Sequence, residues 1–184
     1  MRRQLLAAAL ASPIGAVVGD ASAFGEDGAF NPRLLLTGTQ KPDARRRSAP
    51  SRWAFELVRR TSALARLSPT TVRADAPDLL AEPFAVWAGH RAPQPLTRGE
   101  LFGLHRFLAM GGVLLVDEMA PEKGLFTAGA EQQLARVVPR GSAIKVGDEN
   151  VLFRSFYLLK EATGRVQKDT KLRAVVRGGA VQVI

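Results

Sequence analysis

The segment from residue 83 to residue 118 constrains the fold most, because it predicts a complete strand–helix–strand unit. An apolar run, FAVWAG, is followed by a polar loop, a helical pattern, Gly111-Gly112 and a second apolar run, VLLV. Two strands joined by one crossover helix over this length are parallel neighbours in an α/β sheet. Their carboxyl ends therefore lie at a common edge, where open α/β sheets bind ligands.

The helix of this unit has signals at both ends. Thr97 and Glu100 have the spacing of a capping box, and Leu96 and Leu101 that of a hydrophobic staple. Gly111-Gly112 supplies a residue that adopts a left-handed conformation where a helix ends. The apolar stripe that packs on the sheet consists of Leu101, Leu104, Phe107 and Leu108.

Polar residues stand at the ends of both predicted strands. Gly89 and His90 end the first, and Asp117 and Glu118 end the second, after a run, Val113–Val116, that we expect to be buried on both faces. These four residues are the candidate ligand-binding site.

The same polar residues suggest two kinds of chemistry. His90, Asp117 and Glu118 suit a general base with an orienting carboxylate, or a metal site with imidazole and oxygen ligands. In the structural alternative, the carboxylates cap helix N-termini and His90 bonds its own loop. The sequence identifies neither a cofactor nor a metal. The other histidine, His105, is expected at the boundary of the amphipathic helix.

The chain has 184 residues and no cysteine. The missing cysteines exclude disulfides, thiolate metal sites, a cysteine nucleophile and acylation on cysteine. The length predicts one domain, and the composition, 46% hydrophobic and 23% charged, is typical of globular proteins. The net charge of +9 favours anionic partners.

Residues 1–23 have the pattern of a signal peptide. Arg2-Arg3 precede the apolar run Leu5–Val18, and Ala21-Ser22-Ala23 form an A-x-A cleavage site. The paired arginines also fit a twin-arginine signal. We therefore expect a periplasmic or secreted protein, with one domain over residues 24–184 whose last strand continues beyond Ile184.

A basic, proline- and serine-rich loop is predicted from Gly38 to Ser51, with Arg45, Arg46 and Arg47 at its centre. Such charge runs are usually solvated loops. The functional interpretation is contact with an anionic cell-envelope polymer or lipid. Nucleic acid is a weaker candidate, since no recognition module is visible.

The other predicted elements are shorter. A helix is predicted from Arg52 to about Arg66, capped by Ser51, and Trp53 covers a core edge. Its buried face consists of Ala54, Leu57, Val58, Thr61, Leu64 and Ala65. The remaining predictions are strands at Arg33–Thr37, Thr70–Arg73 and Lys145–Val146, a turn or a single helical turn at Pro77–Pro83, a helix at Thr127–Val138, and a hairpin of Leu172–Val176 and Val181–Ile184 around Gly178-Gly179. The aromatic residues Phe153, Phe156 and Tyr157 are expected in core or lid packing, with stacking on a ligand as the alternative.

Three segments together resemble the family of the bacterial domain of unknown function 4159. They are AVWAGH, LTRGELFGLHRFLAMGGVLLVDE and DENVLFRSFYLL, in this order. The resemblance covers residues 33–184 and implies a fold like that of class I glutamine amidotransferases, a flavodoxin-like three-layer α/β sandwich with a mostly parallel sheet and here a C-terminal hairpin. Relatives carry a His-Pro pair where this chain has Asn150 and Val151.

Two functions follow from these observations. Class I amidotransferases need a cysteine nucleophile, and Asp117-Glu118 occupy the turn where one would stand. The sequence therefore predicts a non-catalytic exported module that binds a ligand or partner at the strand ends. The alternative is a hydrolase or metal-assisted enzyme that uses His90, Asp117 and Glu118, with carbohydrate as a candidate substrate.

Overall fold

The structure is a computed structural model that describes residues 28–44, 48–141, 143–154, 158–162 and 172–184. Several predicted features lie outside this part of the chain: the signal peptide at residues 1–23, the arginines Arg45, Arg46 and Arg47, and the aromatic residues Phe156 and Tyr157. In the part that is described, no helix has the length and apolar character needed to cross a membrane.

Over the described residues, the fold is a mixed α/β arrangement of a seven-stranded sheet and three α-helices. The strands are β1 (Arg33–Leu36), β2 (Thr71–Arg73), β3 (Phe84–Gly89), β4 (Val113–Glu118), β5 (Ala143–Val146), β6 (Leu172–Arg177) and β7 (Ala180–Val183), and the helices are α1 (Ala49–Arg60), α2 (Arg98–Ala109) and α3 (Leu125–Val137). The order across the sheet is β2-β1-β3-β4-β7-β6-β5. The first five of these strands are parallel, and β6 runs antiparallel to both of its neighbours.

The central strand–helix–strand unit is confirmed. β3 and β4 pair in parallel along their whole length, from Phe84 opposite Val113 to Gly89 opposite Glu118. The capping box of α2 is also present, and Gly111 has φ +92° where the helix ends. At the C-terminal hairpin, Gly178 and Gly179 both have positive φ. A two-residue turn needs these angles if its twist is to match the twist of the two strands that it joins.

The helices bury apolar side chains against both sides of β3. Side chains alternate along a strand, so Phe84 and Trp87 point to opposite faces. Trp87 is fully buried and packs edge-to-face on Phe126 of α3. Phe84 contacts Trp53 of α1, which confirms that Trp53 covers an edge of the core.

The prediction for α1 was wrong at both ends and only partly right about the buried face. The helix begins at Ala49, because Pro50 fits the first turn, and Ser51 lies inside the helix with no capping role. It ends at Arg60, where Thr61 is extended and its hydroxyl bonds the Leu57 carbonyl at 2.7 Å. Of the predicted face, Ala54 is buried, whereas Val58 and Leu64 are 42% and 66% exposed.

Two further predictions need correction. α3 begins at Leu125, two residues before the predicted start at Thr127, and it follows Gly124, which has a left-handed conformation. In β4, only Leu114 of the run 113–116 is fully buried, and Leu115 and Val116 border a cavity. The second face of this strand is therefore only partly covered.

A buried charge stabilises the amino-terminal edge of the sheet. The Arg33 guanidinium donates to the carbonyl oxygens of Asp78 (2.6 Å), Leu79 (2.8 Å) and Glu82 (2.9 Å). Burial lowers the pKa of Arg33, and the nearby Glu82 carboxylate opposes that shift. The same carboxylate lies 3.3 Å from Arg66. This network ties the start of β1 to the turn that precedes β3.

Candidate functional site

A polar crevice opens at the carboxyl ends of β1 and β3. Its volume is about 440 Å³, within the range of small-molecule sites. The loop after β1 forms one wall and the loop after β3 the other. The polar and charged residues that line it are Thr37, Thr39, Gln40, Lys41, Asp43, His90, Arg91 and Gln94.

The position of this crevice follows from the strand order. From β1 the chain crosses to β2 on one side, and from β3 it crosses to β4 on the other side. The two crossovers leave β1 and β3 in opposite directions, so the loops that follow these strands diverge. Such a reversal is where open α/β sheets place their ligands.

Hydrogen bonds hold the wall after β1 against the wall after β3. The Gln94 side-chain oxygen accepts from the Thr39 amide at 3.2 Å, and the Gln40 side chain donates to the Ala88 carbonyl at 2.8 Å. Gly38 has φ +53°, and a side chain there would also collide with Gln94. The turn thus needs glycine at this position.

Glu100 joins α2 to the same turn. Although this residue is 1% exposed, both of its carboxylate oxygens have partners. One oxygen accepts from the Thr97 amide at 2.9 Å, as the capping box predicts, and the other accepts from the Gly38 amide at 2.5 Å. Arg73 of β2 lies 3.6 Å from that second oxygen and donates to the Gly38 carbonyl. Glu100 is therefore a positioning residue for the crevice as well as a helix cap.

Three basic side chains of the crevice have no hydrogen bond or ion pair with any described residue: Lys41, His90 and Arg91. Among the described residues of the lining, Asp43 is the one acid, so their formal charge is 2 − 1 = +1 with His90 neutral. Among the described residues, the side chains left for a ligand are thus the two cations Lys41 and Arg91 and the imidazole of His90. The crevice is suited to an anion.

The four predicted site residues do not converge on this crevice. Gly89 and His90 line it, whereas Asp117 and Glu118 do not. Alternation along β4 directs these two acids to opposite faces of the sheet. No hydrogen bond or ion pair joins His90 to either acid within the described residues.

Glu118 caps α3. Its carboxylate oxygens accept from the Ala120 amide and from the Thr127 amide of the first helical turn, both at 3.0 Å. The negative charge also stabilises the helix N-terminus. Asp117 is exposed. In the part of the chain described here, no three His, Asp or Glu side chains are grouped so as to hold a metal ion.

Two other polar residues singled out in the sequence have local contacts. Asn150 accepts from the Leu152 amide at 3.1 Å and so caps a short 3₁₀ turn, Val151–Phe153. His105 Nδ1 lies 3.1 Å from the Val137 carbonyl oxygen, which links α2 to the end of α3. Neither residue lines the crevice.

A larger cavity of about 700 Å³ lies beside α3. Its wall is mainly apolar, with Val116, Leu134 and Val175, and Glu131 and Arg173 form an ion pair in its lining. Its charged groups are engaged with each other or, for Glu118, with the backbone. We therefore favour the smaller crevice as the candidate ligand site.

The residues that complete the crevice were missed in the sequence. Lys41 and Gln40 belong to the loop interpreted as solvated, and Arg91 and Gln94 follow the strand without a motif. Gly38, directly after an apolar strand, was the one available signal of a tight turn. The loops after β1 and β3 could be placed side by side only once the pairing of these two strands was known.

Comparison with known families gives one finding for this chain. The model of the family described as Domain of unknown function (DUF4159) matches residues 34–184. Comparison with curated proteins gives no match.

Proposed function

The chain belongs to the family of the domain of unknown function 4159, and from this premise we propose that it is an exported, non-catalytic module that binds a small anionic ligand between β1 and β3. The observation that carries the proposal is the set of three basic side chains, Lys41, His90 and Arg91, that line one crevice with no partner among the described residues. Carboxylates and phosphates are the ligands that such groups bind, because the hydrogen bonds are charge-assisted.

We also propose a flavodoxin-like three-layer fold related to class I glutamine amidotransferases. The order β2-β1-β3-β4-β7 supports this, since it corresponds to the flavodoxin-like order of five parallel strands. Right-handed crossovers that leave β1 and β3 in opposite directions place α1 and α2 on opposite faces.

Export is part of the proposal and depends on the sequence of residues 1–23 alone. Its test is processing: a chain made in a bacterium should appear in the periplasm or medium, shortened at Ala23. Retention of the full-length chain in the cytoplasm would contradict export and leave the ligand site as a separate question.

Binding without catalysis is supported over the hydrolase by the surroundings of His90. A general base needs a partner that orients its ring, and neither Asp117 nor Glu118 bonds this histidine. The hydrolase or metal-assisted alternative stays a prediction. If His90 were a metal ligand, divalent metals would raise the Tm of the wild type more than that of His90→Ala.

The direct test is calorimetric titration of the protein with inorganic phosphate and with citrate. We expect binding to the wild type that weakens as ionic strength rises. Arg91→Gln should reduce the affinity at least tenfold, by analogy with the roughly 1.5–3 kcal/mol of a hydrogen bond to a charged group. The matched control is Arg140→Gln, which removes an equal charge outside the crevice. An equal loss of affinity in the Arg91 and Arg140 variants would contradict the proposal.

A further inference from the structure

A second surface, separate from the crevice, is formed by α1 and the segment after it. Among the described residues twelve large apolar side chains are exposed, and five of these lie within one short stretch: Trp53, Phe55, Val58, Leu64 and Leu67. Concentrated apolar exposure of this kind marks an interaction site, whereas single exposed apolar residues are ordinary.

The exposed ridge of α1 alternates cationic and aromatic side chains. Arg52, Phe55 and Arg59 are spaced i, i+3 and i+7, so they lie along one side of the helix. Phe55 is 55% exposed, and Val58, one turn further, is 42% exposed. The opposite side of the helix buries Pro50 and Ala54. The packed core therefore does not use this aromatic side chain.

The charge of α1 is positive. The helix contains three arginines and one acid, Glu56, for a net charge of 3 − 1 = +2. Glu56 is engaged by Arg60 at 2.6 Å and by Arg59 at 4.0 Å. Arg52 is left with no ion pair among the described residues. The surface thus presents positive charge around exposed apolar groups.

We infer that α1 docks on the surface of a bilayer that contains anionic phospholipid. Phe55 and Val58 enter the boundary between headgroups and acyl chains, and Arg52 and Arg59 bind lipid phosphates. The exposed apolar side chains and the positive charge of α1 together indicate an anionic bilayer as the partner. An anionic polysaccharide would satisfy the arginines and leave Phe55 in water, and a neutral surface would not use the arginines.

The test is sedimentation of the full chain with vesicles of phosphatidylcholine, with and without phosphatidylglycerol. We expect binding that requires the anionic lipid. Phe55→Ser should weaken it about tenfold, because an exposed aromatic side chain no longer enters the bilayer. Arg52→Gln should weaken it about fivefold, as expected for one basic residue near a charged membrane surface.

The matched control is Phe102→Ser. Phe102 is 63% exposed on α2, with the Arg106 guanidinium over its ring, so it offers the same chemistry on another surface. The Phe102→Ser variant should bind vesicles as well as the wild type does. Equal binding by the Phe55 and Phe102 variants, or equal binding to neutral vesicles, would overturn the inference.

Tryptophan quenching by brominated lipid locates the contact. Trp53 on α1 is 38% exposed, whereas Trp87 is fully buried. Quenching that disappears in Trp53→Phe would support docking through α1. Sedimentation with vesicles but without quenching would assign the contact to another segment, such as the apolar run at Leu5–Val18, and would overturn the inference.

Discussion

The two edges of the parallel strands use charge in opposite ways. At the amino edge, the buried guanidinium of Arg33 donates to three backbone carbonyls, and Glu82 lies between Asn31 and Arg66. At the carboxyl edge, Lys41, His90 and Arg91 line an open crevice with no partner in the described chain. The comparison distinguishes charged residues that stabilise the fold from charged residues that are available to a ligand. Their positions in the sequence do not show this difference.

The largest effect is expected for Arg33→Met. The substitution leaves three carbonyls without their donor, those of Leu79 and Glu82 buried and that of Asp78 partly buried, and it leaves the Glu82 carboxylate with less compensation. We expect a loss of about 3–5 kcal/mol in the free energy of unfolding, measured by urea denaturation. Ligand affinity of the remaining folded protein should be unchanged. A loss below about 1 kcal/mol would show that the network does not hold this edge.

Glu100→Ala tests the connection between helix and crevice. Thr97→Ala removes a cap and should cost about 1 kcal/mol of stability. Glu100→Ala removes the acceptor of the Thr97 amide and also that of the Gly38 amide. It should lower the free energy of unfolding by about 1–3 kcal/mol more than Thr97→Ala does.

Only the Glu100 variant should also weaken phosphate binding, because it releases the turn after β1. Phosphate titration of both variants provides this readout. If the two variants lost equal affinity, Glu100 would be a helix cap and nothing more.

The crevice cations should affect binding without affecting stability. Lys41→Gln and Arg91→Gln should each change the free energy of unfolding by no more than about 0.5 kcal/mol, because neither side chain has a partner among the described residues. Both should weaken phosphate binding in titration calorimetry. A large loss of stability in either variant would place that residue with the structural charges of the amino edge.

The smallest effect concerns the exposed pair on α1. The hydrogen bond from Arg60 lowers the pKa of Glu56, so its contribution is present above the ordinary glutamate pKa and is lost as pH falls through the lowered value. Glu56→Gln should lower the Tm slightly at neutral pH. That difference should vanish in acid below the glutamate range, and a difference that grew in acid would contradict the assignment.

Local patterns predicted the elements in which neighbouring residues decide the structure. The capping box of Thr97 and Glu100, the parallel unit of β3 and β4 and the Gly178-Gly179 hairpin are all confirmed. The second role of Glu100 could not be predicted, because its partner Gly38 is 62 positions away.

The exposed face of α1 was missed for a different reason. Apolar spacing alone placed Val58 in the core, although this residue is exposed. Periodicity shows which residues share a helix face and does not show whether a partner element covers it. The crevice depended likewise on which strands pair, since Lys41 and Arg91 meet only because β1 lies beside β3.

The central claim is that the charges left unpaired at the carboxyl edge form the ligand site. Titration of isotopically labelled protein with inorganic phosphate, followed by amide chemical shifts, tests it most directly. The account predicts saturable changes confined to residues 37–43 and 89–94, with the amides around Arg33 and Glu82 unmoved. Saturable changes centred on the cavity beside α3, or no saturable change at all, would contradict it.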